Sequence, residues 1–94
     1  MTTLTHQEWK VIVAAFGARC AYCGALAPLQ IEHIVPCARG GGLTRENCVP
    51  ACEPCNRSKG TREVREWMIE RWFDLERFDG IRAALVWTTA DASV

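Results

Sequence analysis

The sequence has no net charge, no long apolar run and nothing that resembles an export signal. Its 11 lysines and arginines balance its 11 aspartates and glutamates. The longest apolar run, residues 11–16, is far shorter than the roughly 20 residues needed to cross a bilayer. Residues 1–5 lack the basic and apolar segments that open a secretory signal. We therefore expect a cytoplasmic protein with no membrane partner.

A net charge of zero argues against a nucleic-acid partner, but the charges are unevenly distributed along the chain. Residues 33–65 contain six basic and three acidic side chains, whereas residues 66–79 contain five acidic and two basic ones. One face of the molecule could therefore meet a polyanion. A solvated surface gives the same pattern, so the charges alone do not identify a partner.

Cysteines are frequent, with six in a chain of 94 residues. Four of them form two close pairs, Cys20-x-x-Cys23 and Cys52-x-x-Cys55. Two such pairs can supply the four soft ligands of a tetrahedral Zn²⁺, so we predict one structural zinc at these four cysteines. Disulfides or free buried thiols are the alternative. The remaining two have no partner at ligand spacing and are expected to be small buried hydrophobes; they are Cys37 and Cys48.

The first half of the chain predicts one helix and a hairpin. Thr5 and Glu8 form a capping box for an N-terminal helix over about residues 5–17, where apolar residues follow at helical spacing. Two short apolar stretches with turn residues between them, 29–35 and 48–51, predict paired strands.

Helices fill the rest of the predicted fold. Pro54 marks the start of one helix, which pauses at Gly60. C-terminal helices are predicted over about residues 61–88, with the first ending near residue 78 at the break Asp79-Gly80. The residues expected on the buried side of that first helix are Val64, Trp67, Met68, Trp72 and Leu75. We expect a small α+β fold that forms a single domain over residues 1–94.

Residues that can serve as a base and as hard metal ligands lie near the cysteine pairs. Metal-assisted hydrolysis needs a base for water and a cation that offsets the developing negative charge. His33 suits the first role because histidine titrates near neutral pH. Glu32 and Asn56 offer hard oxygen ligands for Mg²⁺ or Mn²⁺. Glu32 and His33 would point to opposite faces of a regular strand, so the strand must twist or end there for both to reach one phosphate.

The stretch from Cys20 to Lys59 resembles the HNH nuclease family, in the subtype with flanking Cys-x-x-Cys pairs. The residues that carry the resemblance are, in order, Glu32-His33-Ile34-Val35-Pro36, Gly41-Gly42, Asn47 and Cys52-x-x-Cys55-Asn56-Arg57-x-Lys59. The resemblance implies a ββα-metal, treble-clef-like fold in which a zinc-stapled hairpin and helix form a core motif over residues 20–59. Two positions depart from the family pattern: Asn56 replaces the histidine of the name, and Glu32 replaces the commoner aspartate.

The same resemblance implies a DNA endonuclease that leaves 5′-phosphate and 3′-hydroxyl ends. His33 is then the general base, Asn47 braces the loop and orients His33, and Glu32 with Asn56 holds one catalytic Mg²⁺ or Mn²⁺. The expected phosphate contacts are Arg57 and Lys59, with a solvated surface arginine as the alternative for Arg57.

DNA is accordingly the expected partner. Small free-standing HNH proteins are often encoded by phages, so phage packaging proteins or another protein are further expected partners, in the host cytoplasm; the oligomeric state stays open. The alternative function is a non-cutting, zinc-stabilised module that binds DNA or protein. Glu32, His33 and Asn56 argue against it, because binding alone requires neither a base nor hard-metal ligands.

Overall fold

The computed structural model describes residues 3–85 and residue 87. Its elements follow in the order α1 (His6–Ala15), β1 (Leu29–His33), a 3₁₀ helix (Cys37–Arg39), β2 (Cys48–Cys52), α2 (Glu53–Lys59), α3 (Val64–Glu70) and α4 (Leu75–Ala84). The predicted small α+β fold, a hairpin followed by a helix and flanked by further helices, is confirmed. Within the described residues, no helix is both long and apolar enough to cross a membrane.

Helix α1 begins where the capping box predicts. The backbone N–H of Glu8 donates to Thr5 Oγ1 (3.1 Å), and the backbone N–H of Thr5 donates to Glu8 Oε1 (2.9 Å). These two bonds satisfy amide groups that a helix start otherwise leaves without partners. Ile12 and Phe16 are buried and turn the inner face of α1 toward the core.

The two strands form an antiparallel hairpin in which Leu29 lies opposite Cys52 and His33 lies opposite Cys48. All five residues of β2 are buried, whereas β1 exposes Ile31 and buries Glu32. β1 ends two residues before the predicted boundary of residue 35. The hairpin continues directly into α2, since β2 ends at Cys52 and α2 begins at Glu53, as the proline at position 54 predicts.

The C-terminal helices divide at a different place from the one predicted. The chain leaves the helical conformation after Glu70, and α4 then runs through Gly80, where the sequence predicted a break. Side-chain caps explain the shift: Glu63 accepts from the first amides of α3, and Asp74 accepts from the amide of Arg77 in α4. These caps set where the two helices begin, despite the helix-breaking tendency of Gly80. Residues 86 and 88 of the predicted span lie outside the described residues.

Aromatic side chains from three parts of the chain form the core. Tyr22 packs edge-on against Trp67, with ring centroids 5.0 Å apart, and lies 5.5 Å from Phe78, which in turn packs near Phe16. The turn after α1, helix α3 and helix α4 are therefore packed around one tyrosine ring. Trp72 takes no part in this core, and its predicted burial is wrong.

Trp72 lies at the turn after α3 with φ +59° and its side chain is 94% exposed. The backbone N–H of Phe73 donates to Met68 O and that of Trp72 donates to Ile69 O, the bonding pattern of a helix end where glycine is the usual residue. The left-handed conformation costs a residue with a side chain roughly 1–2 kcal/mol, and the exposed indole gains little from packing.

We therefore expect Trp72→Gly to raise the free energy of unfolding by roughly 0.5–1 kcal/mol, after the greater flexibility of glycine in the unfolded chain is deducted. Chemical denaturation of the two proteins measures the difference. Trp72→Ala is the matched control, because it removes the same ring but keeps the backbone penalty. Equal stabilities for the glycine and alanine variants would contradict this explanation.

Candidate functional site

Four cysteines from the two ends of the hairpin motif meet in one cluster. Cys20 and Cys23 lie in the turn after α1, Cys52 ends β2 and Cys55 lies in the first turn of α2. Their sulfur atoms all lie within 4.8 Å of one another, and Cys23 Sγ is 3.7 Å from Cys52 Sγ. Zinc–sulfur bonds of about 2.3 Å in a tetrahedron place sulfurs roughly 3.8 Å apart. The cluster is a metal-binding site consistent with zinc.

The thiols of this cluster differ in acidity. Burial tends to raise the pKa of Cys20, but hydrogen bonds from the backbone of Cys23, Cys52 and Tyr22 outweigh it and lower the pKa to about 7. Burial and then the charge of Cys20 raise the pKa of Cys55. At Cys55, burial outweighs the tendency of a helix start to favour the thiolate.

The two remaining cysteines lie outside the cluster. Cys48 is buried, as expected for a small apolar residue, whereas Cys37 is exposed at the start of the 3₁₀ helix and its predicted burial is wrong. In the described part of the chain, the four-cysteine cluster is the one group of three or more cysteine, histidine or acidic ligands close enough to share an ion.

Glu32 lies on the buried face of β1 and is only 5% exposed. The Tyr22 hydroxyl donates to its Oε2 atom at 2.5 Å, and Lys59 Nζ lies 3.5 Å from the same atom. Burial and then the negative charge of Glu32 raise the pKa of Tyr22, so the hydroxyl remains a donor. The second carboxylate oxygen, Oε1, accepts no hydrogen bond from a described residue.

Lys59 occupies a different place from the one its predicted role requires. Its side chain is 0% exposed, and Nζ donates to the backbone carbonyl of His33 (3.1 Å) in addition to pairing with Glu32. Lys59 faces inward because α2 packs its last turn against β1. A buried ammonium cannot reach a DNA phosphate, so the expected DNA contact at Lys59 is corrected to an internal ion pair.

His33 is the last residue of β1 and is half-buried. The strand thus ends at the position where it must end or twist if Glu32 and His33 are to face a common ligand. Lys59 contacts the carboxylate of Glu32 and the backbone carbonyl of His33. No described side chain hydrogen-bonds to the imidazole of His33.

Asn47 forms hydrogen bonds with the backbone of the loop that follows His33. Its Oδ1 atom accepts from the amide of Val35 (2.8 Å), and its Nδ2 atom donates to Val35 O (3.0 Å) and Gly42 O (2.9 Å). Its backbone carbonyl accepts from the amide of Ile34 (2.8 Å). Gly41 permits this closure, because a Cβ atom there would lie 1.7 Å from Val35 O and 2.9 Å from Asn47 Nδ2.

Asn56 lies in the middle of α2, one turn before Lys59 and one residue after Cys55. Its Nδ2 atom donates to Gln30 Oε1 at 2.6 Å, which directs the amide and leaves Oδ1 for another partner. Gln30 shares a face of β1 with Glu32, so the two strand residues and α2 line the same side of the hairpin.

Sequence reasoning missed Tyr22 and Gln30 as members of this site. Gln30 carries a recognisable signal, since it is a polar residue two positions before Glu32 on a short strand. Tyr22 is the one tyrosine of the chain and lies between two cysteine ligands, but nothing in the sequence shows that its hydroxyl faces a carboxylate.

The arginines of residues 33–65 are mostly compensated by acids. Arg57 is exposed and forms an ion pair with Glu53 in the preceding turn of α2. The other pairs are Arg45 with Glu8 and Glu46, Arg62 with Glu70, and Arg65 with Asp79. Within the described residues, Arg39 has no carboxylate partner and donates to the backbone of Thr61 instead. The basic excess seen in the sequence is therefore a weak surface feature.

The comparisons with known proteins agree with this arrangement. Residues 20–62 match the sequence model of the family described as HNH endonuclease. A CRISPR-associated endonuclease Cas9 from Corynebacterium diphtheriae is 43% identical over 53 residues, which cover 52% of this chain and 5% of the relative. The type IV methyl-directed restriction enzyme EcoKMcrA from Escherichia coli is 34% identical over 62 residues, covering 52% of this chain and 22% of the relative.

A second Cas9, from Actinomyces naeslundii, is 42% identical over 55 residues, covering 54% of this chain and 5% of the relative. The chain thus spans at most about a fifth of the length of these three relatives. The matched family segment contains both cysteine pairs, Glu32, His33 and Asn56. Over residues 20–62 the chain is therefore similar to the HNH endonuclease family.

Proposed function

We propose that this chain is a metal-dependent DNA endonuclease, with His33 as the general base and one divalent cation held by Glu32 and Asn56. One observation carries the proposal: β1 ends at His33, and its last two residues contact α2, the helix that bears Asn56, within a segment similar to the HNH endonuclease family. A simple binding module has no need of a buried carboxylate beside a half-buried histidine.

Zn²⁺ is the metal proposed for the four-cysteine cluster. The donors are four sulfurs, which zinc prefers, and their spacing fits a tetrahedral ion. Its role is structural, because all four positions are protein ligands and none is left for substrate. A reducing compartment such as the cytoplasm keeps these thiols available for metal.

The oxygens Glu32 Oε1 and Asn56 Oδ1 fit a hard divalent cation, Mg²⁺ or Mn²⁺. Tyr22 and Lys59 contact the other oxygen of Glu32, and Gln30 accepts from the nitrogen of Asn56, so each ligand presents one oxygen that no described residue contacts. When bound, the cation supplies positive charge that stabilises the phosphate oxygens in the transition state.

The imidazole of His33 accepts a proton from a water molecule, whose oxygen attacks phosphorus in line with the O3′ atom. The P–O3′ bond breaks, and O3′ takes a proton from solvent. The products are a 5′-phosphate and a 3′-hydroxyl. Asn47 contributes by holding the backbone at Val35 and Ile34, which fixes the end of β1 and hence the position of His33.

DNA is the proposed substrate, and the isolated chain is proposed to bind it weakly. Most arginines near the site are paired with acids, so few phosphates can be neutralised. A partner protein, such as a phage packaging component, is proposed to supply further affinity.

Replacement of the base gives the first test of the proposal. We expect His33→Ala to lower the rate of plasmid cleavage with Mg²⁺ by about 10²–10⁴, the usual contribution of a general base, while DNA binding is retained. His6→Ala is the matched control, because the second histidine is exposed at the start of α1. If all three proteins bind DNA but none of them cuts it, the proposed nuclease activity is wrong and the chain is a non-cutting binding module.

Loss of one zinc ligand is expected to unfold the protein. Cys20→Ser should reduce the zinc content below one per chain and abolish the cooperative thermal transition, because metal binding supplies much of the folding free energy of such small domains. Metal analysis and circular dichroism measure the two effects. Cys37→Ser, at an exposed cysteine outside the cluster, should change neither. Retention of one zinc and of the transition in Cys20→Ser would refute the structural role.

Arg57 remains a proposed phosphate contact, since its ion pair with Glu53 is exposed and such pairs exchange readily. We expect Arg57→Gln to weaken DNA binding at low salt and to reduce the slope of log affinity against log salt by up to about 1. Fluorescence anisotropy over a salt series measures the slope. Lys10→Gln removes the same charge from an exposed position on α1 and should have a smaller effect; equal effects would rule out a specific contact at Arg57.

A further inference from the structure

Tyr22 links two parts of the molecule that the proposed function treats separately. It lies between Cys20 and Cys23, in the turn that supplies half of the four-cysteine cluster, yet its side chain points into the core and is 1% exposed. Its hydroxyl donates to Glu32 Oε2 at 2.5 Å. A residue of the metal-binding turn thus contacts the carboxylate proposed to hold the catalytic cation.

The ring and the hydroxyl of Tyr22 make different kinds of contact. The ring packs against Trp67 and Phe78, and a phenylalanine would satisfy these contacts equally well. The hydroxyl meets one described partner, Glu32. Burial of a hydroxyl is costly without a hydrogen bond, and burial of a carboxylate is costlier still, so each group fixes the other.

A hydroxyl donor and a positive charge from separate elements converge on Glu32 Oε2. Tyr22 approaches from the turn after α1, and Lys59 Nζ approaches from the end of α2 at 3.5 Å. A carboxylate held at one oxygen from two directions has little freedom to rotate. Its other oxygen, Oε1, therefore keeps a fixed direction.

We propose that Tyr22 is a positioning residue for the cation site: its hydroxyl holds Glu32 Oε2 so that Oε1 is presented to the divalent cation. The inference rests on the proposed function, in which Glu32 is a cation ligand. Because Cys20 and Cys23 fix the turn that carries Tyr22, the structural metal centre also sets the geometry of the second site. Hydrogen-bonding partners of metal ligands commonly change metal affinity or activity by 10- to 100-fold when they are lost.

The test removes only the hydroxyl. We expect Tyr22→Phe to keep one zinc per chain but to raise the dissociation constant for Mn²⁺ at the second site by about tenfold or more, measured without DNA by electron paramagnetic resonance of free Mn²⁺. Cleavage should need correspondingly more Mn²⁺ for half-maximal rate and should recover at saturating Mn²⁺.

Ser58→Ala provides the matched control. Ser58 Oγ accepts from Trp67 Nε1 at 3.0 Å, so this variant removes a hydrogen bond from the same aromatic cluster without touching Glu32. It should leave Mn²⁺ affinity near that of the unmodified protein. An equal loss of affinity in both variants would show that Tyr22 acts through general packing and would overturn the inference.

The remaining outcomes separate this inference from the proposed function. If the unmodified protein binds a second cation and cleaves DNA, but Tyr22→Phe has the same Mn²⁺ affinity, the positioning role alone is refuted. If the unmodified protein binds no second cation and cuts no DNA, the proposed function fails, and the role of Tyr22 fails with it.

A measurement on the unmodified protein covers the case in which Tyr22→Phe does not fold. The chain has one tyrosine, so labelling tyrosine with ¹³C at Cζ gives a single resonance that reports on the hydroxyl. We expect Mg²⁺ to shift this resonance in a saturable manner, and we expect no such shift in Asn56→Ala, which lacks the other cation ligand. A resonance that saturating Mg²⁺ leaves unchanged would refute the proposed link.

Discussion

Four sulfur atoms from two turns of the chain converge within 4.8 Å of one another, and this convergence ties the turn after α1 to the hairpin and helix that carry the rest of the site. The turn at residues 20–23 is brought against the junction of β2 and α2, which fixes α2 beside β1. A domain of this size buries only a modest core, so a cross-link of this kind stabilises what packing alone cannot. The four-cysteine cluster thus joins the hairpin, helix α2 and the turn that carries Tyr22 of the aromatic core.

A buried polar cluster lies in the same part of the molecule as the four-cysteine cluster. Glu32, Lys59 and the Tyr22 hydroxyl are all withdrawn from water, yet each has a partner, and no buried side-chain nitrogen or oxygen in the described part of the chain lacks one. Burial of an ion pair often gives little net stability because desolvation offsets the attraction. The cluster is better explained by geometry, since it holds the end of β1 and a carboxylate oxygen in defined places.

Features set by local chemistry could be predicted from the sequence, and features set by packing could not. The capping box at Thr5, the start of α2 at Glu53 and the pairing of the cysteines depend on neighbouring residues alone. The sequence cannot predict that Lys59 faces inward, because the direction of its side chain depends on how α2 lies against the hairpin. The break near Trp72 was missed because a tryptophan occupies a backbone position where glycine is usual.

The central claim is that the chain holds two kinds of metal in two places: sulfur ligands at the cysteine cluster, and oxygen ligands at Glu32 and Asn56. Anomalous scattering from crystals grown with zinc and soaked in Mn²⁺ tests this directly, because the two elements are distinguished by their absorption edges. We predict a zinc peak among the four sulfurs and a separate manganese peak about 2.1 Å from Glu32 Oε1 and Asn56 Oδ1. A single peak at the sulfurs, with no manganese beside Glu32, would contradict the account.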